Sequence, residues 1–201
     1  MLDRAIVIDL SGGLKSPPVG RLESLGDVLR HQGELLAATK TYQDALTQSR
    51  AVSDKSGTAY ALMDLGNLAL IKADFKEARK NYEEALAIRI ELGEKRNIAT
   101  TRVELAQLAI EEKRPSDAVA LIKSAIEEFR NVRSSDDELA ATVVLVRALL
   151  LQGKLVDASR ELAARTALAA KSQSPTRKST SKWLQHEWRQ GLEERFGLRL
   201  V

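Results

Sequence analysis

The chain has 201 residues, a formal net charge of +3, no cysteine and two histidines. The lack of cysteine excludes a disulfide framework and a thiolate metal site, and no stretch approaches the roughly 18 apolar residues of a membrane-spanning helix. The charge is uneven, because residues 171–201 carry seven basic and three acidic side chains while the remainder is close to neutral. This balance argues against nucleic acid as a partner along the whole chain, since such a surface is a continuous basic stripe.

Amphipathic helices alternate with short breaks from residue 18 to residue 170. Pro17 suits the first position of a helix that ends near His31. Gly33 marks a turn, and the following helix ends near Val52.

The stretch 61–93 contains two more helices, which break at Ala73–Asp74. Apolar and small residues recur at positions i, i+3, i+4 and i+7 in both helices. Asp74 is placed to cap the second helix, and Glu77 would complete a capping box with it. Gly93 suits the C-cap of that helix.

Two further helix pairs follow. One pair is predicted at about 96–112 and 115–132. The other pair has a helix at 139–151, a turn at Gly153 and a second helix that ends near residue 170. Ser135 and Glu138 are predicted to form a capping box. The acidic run 136–138 and the pair Glu111 and Glu112 are expected at solvated helix ends.

The helix pairs repeat every forty residues without insertion or deletion. In the clearest pair, Leu65 and Gly66 on the first helix and Ala78, Tyr82 and Ala85 on the second mark the register. Shifts of forty residues place similar residues in the other pairs, with Arg165 the exception: Leu25, Gly26, Ala38, Tyr42 and Ala45; Leu105, Ala106, Ala118, Ile122 and Ala125; Leu145, Val146, Ala158, Leu162 and Arg165. One such pair cannot bury its apolar face alone, so the register predicts four stacked repeats, each with a helix A and a helix B.

This pattern resembles the tetratricopeptide repeat, whose helix A carries Leu-Gly and whose helix B carries small, aromatic and small residues. The resemblance covers residues 18–170. The repeat is forty residues long instead of about 34, with an extension at 90–95, and this is similar to a longer-repeat subclass found in animal spindle-orientation adaptors and in bacterial signalling proteins and transcriptional regulators. It implies an all-α fold, a right-handed α-solenoid of antiparallel helix pairs that acts as a binding scaffold.

The resemblance also implies that one face of each helix A lines a concave groove. The residue after the Leu-Gly pair lies at its centre, which gives Asp27, Asn67, Gln107 and Arg147. The flanking positions are Glu23, Met63, Val103 and Val143 on one side and Arg30, Leu70, Ile110 and Leu150 on the other. We call these twelve residues the groove face.

The chemistry of the groove face predicts a peptide with opposite charges at its two ends. Asn67 and Gln107 can donate to and accept from an extended backbone, and Arg147 can bind a carboxylate. Glu23 and Asp27 make the other end acidic, where the carboxylate-clamp type of groove has Lys and Asn. An acidic chaperone tail is therefore not the expected partner. The alternative is that these residues only hydrate the wall.

No pattern in the sequence indicates catalysis, a cofactor or a metal site. Gly12 and Gly13 lack the Lys-Ser/Thr pair of a phosphate-binding loop. His31 follows Asp27 by four residues, so a helical ion pair or a solvated side chain is expected. The sequence predicts a protein that is not an enzyme.

Residues 1–10 resemble part of a repeat. A shift of forty residues places Leu2 and Ala5 on Tyr42 and Ala45, which predicts helix B of a truncated repeat. We therefore expect the chain to be the C-terminal part of a longer protein. A short N-terminal capping helix is the alternative. An exposed apolar face at this end could also pair with another copy of the chain.

Residues 171–181 are predicted to form a polar, basic linker, and 182–201 an amphipathic helix that carries both tryptophans. This helix is expected to cap repeat 4. The alternatives are a segment that docks on a partner or an anionic membrane, and a disordered tail.

The leading functional hypothesis is a cytoplasmic scaffold that binds a protein or peptide in its groove, as part of a signalling or regulatory protein. The alternative is a module of a bacterial transcriptional regulator or kinase that senses a small-molecule effector. Attachment to nucleic acid or membrane through the basic tail is a third, weaker hypothesis.

Overall fold

The structure, a computed structural model, describes residues 19–171, with side chains as far as residue 165. These residues form eight helices and no strand. In chain order the helices are α1 (Val19–His31), α2 (Leu35–Ala51), α3 (Lys55–Ile71), α4 (Phe75–Leu92), α5 (Lys95–Glu111), α6 (Pro115–Asn131), α7 (Ser135–Leu151) and α8 (Leu155–Lys171). The predicted fold class, an all-α solenoid of antiparallel helix pairs, is confirmed. The segments predicted at 1–10 and 182–201 lie outside the described residues. Of the linker predicted at 171–181, only Lys171 is described, and it is the last residue of α8.

The chain divides into two compact parts, residues 1–104 and residues 105–201. In the N-terminal part, α1 packs on α2, α2 on α3, and α3 on α4. In the C-terminal part, α6 packs on α7, and α7 on α8. Helix α5 contributes its first ten residues to one part and the rest to the other.

The links between the described helices share one geometry, which recurs every twenty residues. One residue of each link has a positive φ between 57° and 80°: Gly33, Ser53, Ala73, Gly93, Lys113, Arg133 and Gly153. At the fourth link, Gly93 N donates to Ile90 O (3.1 Å) and Glu94 N to Arg89 O (3.0 Å), and the other six links form the equivalent bonds. This is the Schellman arrangement that ends a helix. Two halves of twenty residues therefore make the forty-residue repeat.

The core of the N-terminal part consists of the residues that marked the register. Ala38, Tyr42, Ala78 and Tyr82 are fully buried. The small residues let neighbouring helices approach closely, and each aromatic ring fills the space between them. Burial of a large apolar side chain contributes about 1.5–3 kcal/mol, so these positions specify how each pair packs.

The predicted cap at Asp74 is confirmed in one half only. Its carboxylate accepts from the backbone N–H of Glu77 at 3.1 Å. The reciprocal bond is absent, because the N–H of Asp74 donates to Ala69 O in the Schellman link and the Glu77 carboxylate pairs with Lys80. In a capping box the Asp74 N–H would donate to the Glu77 carboxylate. Here that N–H already has an acceptor in the link, so Glu77 is not needed.

The predicted capping box of Ser135 and Glu138 is wrong. Ser135 is the first residue of α7, and the N-cap is Ser134, whose hydroxyl donates to Asp137 Oδ2 at 2.5 Å. Glu138 is also not a solvated helix end. Its side chain is only 14% exposed, and it accepts from Arg130 Nε (2.7 Å) and Arg165 Nη1 (2.6 Å).

This ion-pair cluster explains the one outlier of the repeat register. Arg165 takes the place of the alanine that other repeats have, and only 8% of it is exposed. The equivalent of Glu138 in repeat 3 is Ile98. Repeat 4 therefore has an Arg–Glu pair that joins α7 to α8 at the two positions where repeat 3 has Ile98 and Ala125. Arg130 extends this cluster to α6.

Candidate functional site

The groove face of the N-terminal part lies on α1, α3 and the start of α5. Of its residues, Glu23, Asp27, Arg30, Asn67, Leu70 and Val103 are half-buried. Met63 is only 6% exposed, so it offers a partner little surface. The accessible centre of this face is therefore polar.

In repeat 1, a glycine and a tyrosine set the position of Asp27. A Cβ on Gly26 would lie 2.7 Å from Tyr42 Cδ1, so the absence of a side chain there makes room for the ring. The Tyr42 hydroxyl then reaches past the helix and donates to Asp27 Oδ1 at 2.8 Å. Arg30 donates to the same oxygen at 3.3 Å.

The same arrangement recurs in repeat 2. A Cβ on Gly66 would lie 2.5 Å from Tyr82 Cε1, and the Tyr82 hydroxyl donates to Asn67 Oδ1 at 2.7 Å. The sequence reasoning placed Gly66, Asn67 and Tyr82 in the register but did not foresee this hydrogen bond. The signal was present, because each Leu-Gly pair that precedes a polar residue is matched by a tyrosine sixteen residues after its glycine.

The expected helical pair of Asp27 and His31 does not form. Asp27 is engaged by Tyr42 and Arg30, and His31 is exposed with its Nε2 3.3 Å from Arg30 Nη2. The alternative expectation, a solvated histidine, describes it correctly.

Asp64 is the residue of this face that sequence reasoning missed. It is half-buried on α3 and, within residues 19–165, forms no hydrogen bond or ion pair. Burial, together with the nearby charges of Asp27 and Glu23, raises the pKa of Asp64 from an ordinary value of 3.8 to about 7. The sequence contains a signal for this position, because Glu104, another acidic residue, lies forty residues later at the equivalent place in repeat 3. Burial also raises the pKa of Glu104 to about 7.

Glu23 adds a third carboxylate close to Asp64 and Asp27. Its Oε1 is buried and, in the described part of the chain, has no hydrogen-bond partner. Burial, followed by the charges of Asp54 and Asp27, raises the pKa of Glu23. This end of the face therefore carries an excess of acidic groups, as predicted, and Arg30 offsets only part of it.

A second unpredicted feature of the N-terminal part is a buried arginine. Arg89 on α4 is 2% exposed, and its Nη1 donates to Asn97 O (3.2 Å) and Thr101 Oγ1 (2.6 Å) on α5. The Tyr60 ring of α3 lies 5.1 Å from the guanidinium carbon, within the range of a cation–π contact. Desolvation lowers the pKa of Arg89, and the charges of Tyr60, Glu94 and Asp64 oppose that shift.

In the C-terminal part the groove face has a different composition. Arg147 is exposed and pairs with Glu111 at 2.8 Å, whereas Ile110 is only 5% exposed. Gln107, Val143 and Leu150 are half-buried. The ring positions hold Ile122 and Leu162 and the glycine positions hold Ala106 and Val146, so these repeats lack the tyrosine that contacts Asp27 and Asn67.

Two classes of site are not found where the structure is described. No group of three or more His, Asp or Glu side chains there could hold a metal ion. None of the eight helices is long and apolar enough to span a membrane.

Comparisons with known proteins agree with this architecture. A family model described as tetratricopeptide repeat matches residues 20–91, which contain most of repeats 1 and 2. Among curated proteins, none matches the sequence. The resemblance to the tetratricopeptide repeat that was predicted from the residues is confirmed, and residues 20–91 match that family.

Several solved structures share the fold at low sequence identity. The tetratricopeptide-like repeats of a Podosopora anserina putative kinesin light chain are 18% identical with a TM-score of 0.69, and the match covers 87% of this chain and 86% of that one. The apo form of RapI is 13% identical with a TM-score of 0.72, covering 96% and 76%. YrrB, described as a tetratricopeptide repeat protein with an unusual peptide-binding site, is 19% identical with a TM-score of 0.53, covering 96% and 97%. At these identities the likeness shows the fold alone.

Proposed function

We propose that the chain is a non-enzymatic interaction scaffold whose groove face binds an extended segment of a partner protein. The observation that carries this proposal is Asp64, a half-buried carboxylate with no hydrogen bond or ion pair within the described residues. Burial of a carboxylate without a partner destabilises a fold. Residues that cost stability and have perturbed pKa values cluster at functional sites.

The chemistry of the face selects a basic segment for the N-terminal part. Glu23, Asp27 and Asp64 supply three carboxylates, and Arg30 is the cation that pairs with one of them. A lysine or arginine of the partner would complete this balance. In the C-terminal part, the exposed Arg147 would favour a carboxylate of a partner.

The comparisons support this proposal at the level of the fold. YrrB has a peptide-binding site according to its description, and helix-pair arrays of this kind present extended binding surfaces. A role in signalling, a cytoplasmic setting and a bacterial source stay predictions from the sequence. Effector sensing is tested separately by a thermal-shift screen against metabolites, because a ligand of the folded state raises the melting temperature.

The test uses peptides selected from a random phage-displayed library against the full chain. Fluorescence anisotropy then gives the dissociation constant of each labelled peptide for the wild type, for Asp64→Asn and for Asp44→Asn. Asp44 is an exposed aspartate of α2 and serves as the matched control. We expect the selected peptides to be basic. Their affinity for Asp64→Asn should be about tenfold lower than for the wild type, in line with the loss of a charged hydrogen bond. Their affinity for Asp44→Asn should equal that for the wild type.

The same variant separates a binding role from a structural one. Asp64→Asn should weaken peptide binding and at the same time stabilise the fold, which is the trade-off expected of a functional residue. If no selected peptide depends on Asp64, or if both variants lose affinity equally, this groove is not the binding site.

A further inference from the structure

The Asn67 amide is held at one end only. Its Oδ1 accepts from the Tyr82 hydroxyl at 2.7 Å, while its Nδ2 has no hydrogen-bond partner within residues 19–165. Asn67 is half-buried, so part of the side chain faces solvent. Tyr82 itself is fully buried, and its ring lies over Gly66 where no other residue would leave room. The packing of the core therefore fixes the position of the Tyr82 hydroxyl.

Repeat 1 shows in which direction this hydrogen bond runs. Asp27 takes the place of Asn67 there, and an ionised carboxylate can only accept. Tyr42 must therefore be the donor in its 2.8 Å contact with Asp27. The contact in repeat 2 has the same geometry, with the Tyr82 hydroxyl as donor to Asn67 Oδ1 at 2.7 Å. Burial raises the pKa of the Tyr82 phenol, so the hydroxyl keeps the proton that this bond needs.

We infer that Tyr82 is a positioning residue that fixes the Asn67 amide with its oxygen towards the core and its two N–H donors towards the partner. This inference rests on the proposed function, because it describes how one point of the groove face reads its ligand. A fixed amide at this point offers donors and no acceptor. It therefore selects a carbonyl oxygen, such as that of a main-chain peptide group.

The feature is confined to repeat 2. In repeat 1 the equivalent tyrosine donates to a carboxylate, that of Asp27. In repeats 3 and 4 the equivalent residues are Ile122 and Leu162, which have no hydroxyl group. In repeat 3, Gln107 takes the place of Asn67 and Ile122 that of Tyr82. The pairing of an asparagine with a core tyrosine hydroxyl is therefore specific to repeat 2 among the described repeats.

The first arm of the test is carried out on the free chain by NMR. The side-chain amide signals of Asn67 are assigned in the ¹⁵N-labelled protein by their loss in Asn67→Asp. We expect Tyr82→Phe to shift or broaden these signals, because the amide is then free to turn over. Tyr42→Phe removes the equivalent hydroxyl of repeat 1 and should leave them in place. Unchanged signals in Tyr82→Phe overturn the inference whether or not a ligand is known.

The second arm measures affinity with the library-selected peptides at 0.5 M NaCl, where long-range electrostatic attraction is screened. Asn67→Asp keeps the bond from the tyrosine, as Asp27 does in repeat 1, but replaces the donors with an acceptor. We expect it to bind about tenfold more weakly, and Tyr82→Phe about two- to fourfold more weakly, because only part of the amides then point correctly.

The outcomes separate the inference from the proposed function. Peptides that depend on Asp64 but bind Asn67→Asp as well as or better than the wild type overturn the role of the amide alone. Peptides that do not depend on Asp64 count against the groove as a whole, and the NMR arm still decides whether Tyr82 orients the side chain.

Discussion

The replacement of Asp64 by asparagine provides the sharpest test of how the groove face is built. Asn has nearly the same shape as Asp but does not titrate, so the change removes the buried charge and little else. The charged groups that face Asp64 are Asp27, Glu23 and Arg30 on α1 and Arg89 on α4. Two of these charges repel the carboxylate and two attract it.

The sign of the effect follows from the two pKa values. The pKa of Asp64 is about 7 in the folded chain and about 3.9 in an unfolded one. Between these values the folded state binds more protons than the unfolded state, so stability falls as the pH rises from about 4 to 7. Each pH unit in this window is worth about 1.4 kcal/mol, which sets an upper limit of about 3 kcal/mol between pH 5 and pH 7.

We expect Asp64→Asn to remove much of this decline. The free energy of unfolding of Asp64→Asn, relative to that of the wild type, should increase by about 1–3 kcal/mol between pH 5 and pH 8. The effect stays within this range because neighbouring charges respond and some solvent reaches the carboxylate. Urea unfolding followed by circular dichroism at the two pH values measures it, with Asp44→Asn as the exposed control. A gain that is the same at both pH values would refute the argument, since it would mean that Asp64 is ionised throughout.

Four further single substitutions and one double variant test the packing. Ala73→Gly should stabilise the fold by about 0.5–1 kcal/mol and Gly93→Ala should destabilise it by about 1 kcal/mol, since both residues have positive φ; equal effects on urea midpoints would contradict this. Gly66→Ala should cost about 1–3 kcal/mol through its clash with the Tyr82 ring. Adding Tyr82→Ile, the combination that repeat 3 has, should recover part of that loss; purely additive costs would show that the two positions are independent. Arg165→Ala should cost about 2–4 kcal/mol because its buried carboxylate partner loses one of two cations, and thermal unfolding unchanged from the wild type would exclude this.

The sequence determined the helices and their register. A period of forty residues is a repeating pattern along the chain, so the positions of Ala38, Tyr42, Ala78 and Tyr82 in the core could be assigned by counting. The amphipathic spacing that marks each helix is likewise local, because neighbours on one helix face are three or four residues apart. The predicted turns at Gly33, Gly93 and Gly153 follow from the same local chemistry.

The twenty-residue period of the links was less visible, because four of the seven positive-φ positions are not glycine. Ser53, Ala73, Lys113 and Arg133 give no sequence signal for that conformation. The link geometry is held by backbone hydrogen bonds that any residue can make, and the small strain at these positions is outweighed by the packing of the helices on either side.

Only the tertiary structure decided the chemistry of the groove face and of the buried ion pairs. Whether Asp64 is solvated or buried, and whether Arg165 disrupts repeat 4 or pairs with Glu138, depends on which side chains of other helices lie within a few ångströms. The Tyr82–Asn67 hydrogen bond joins residues fifteen apart on two helices, and it forms because Gly66 leaves room for the ring. Periodicity along a chain records which face of a helix is buried, but the charge and hydrogen-bond partners of a polar side chain on that face are set by its neighbours in space.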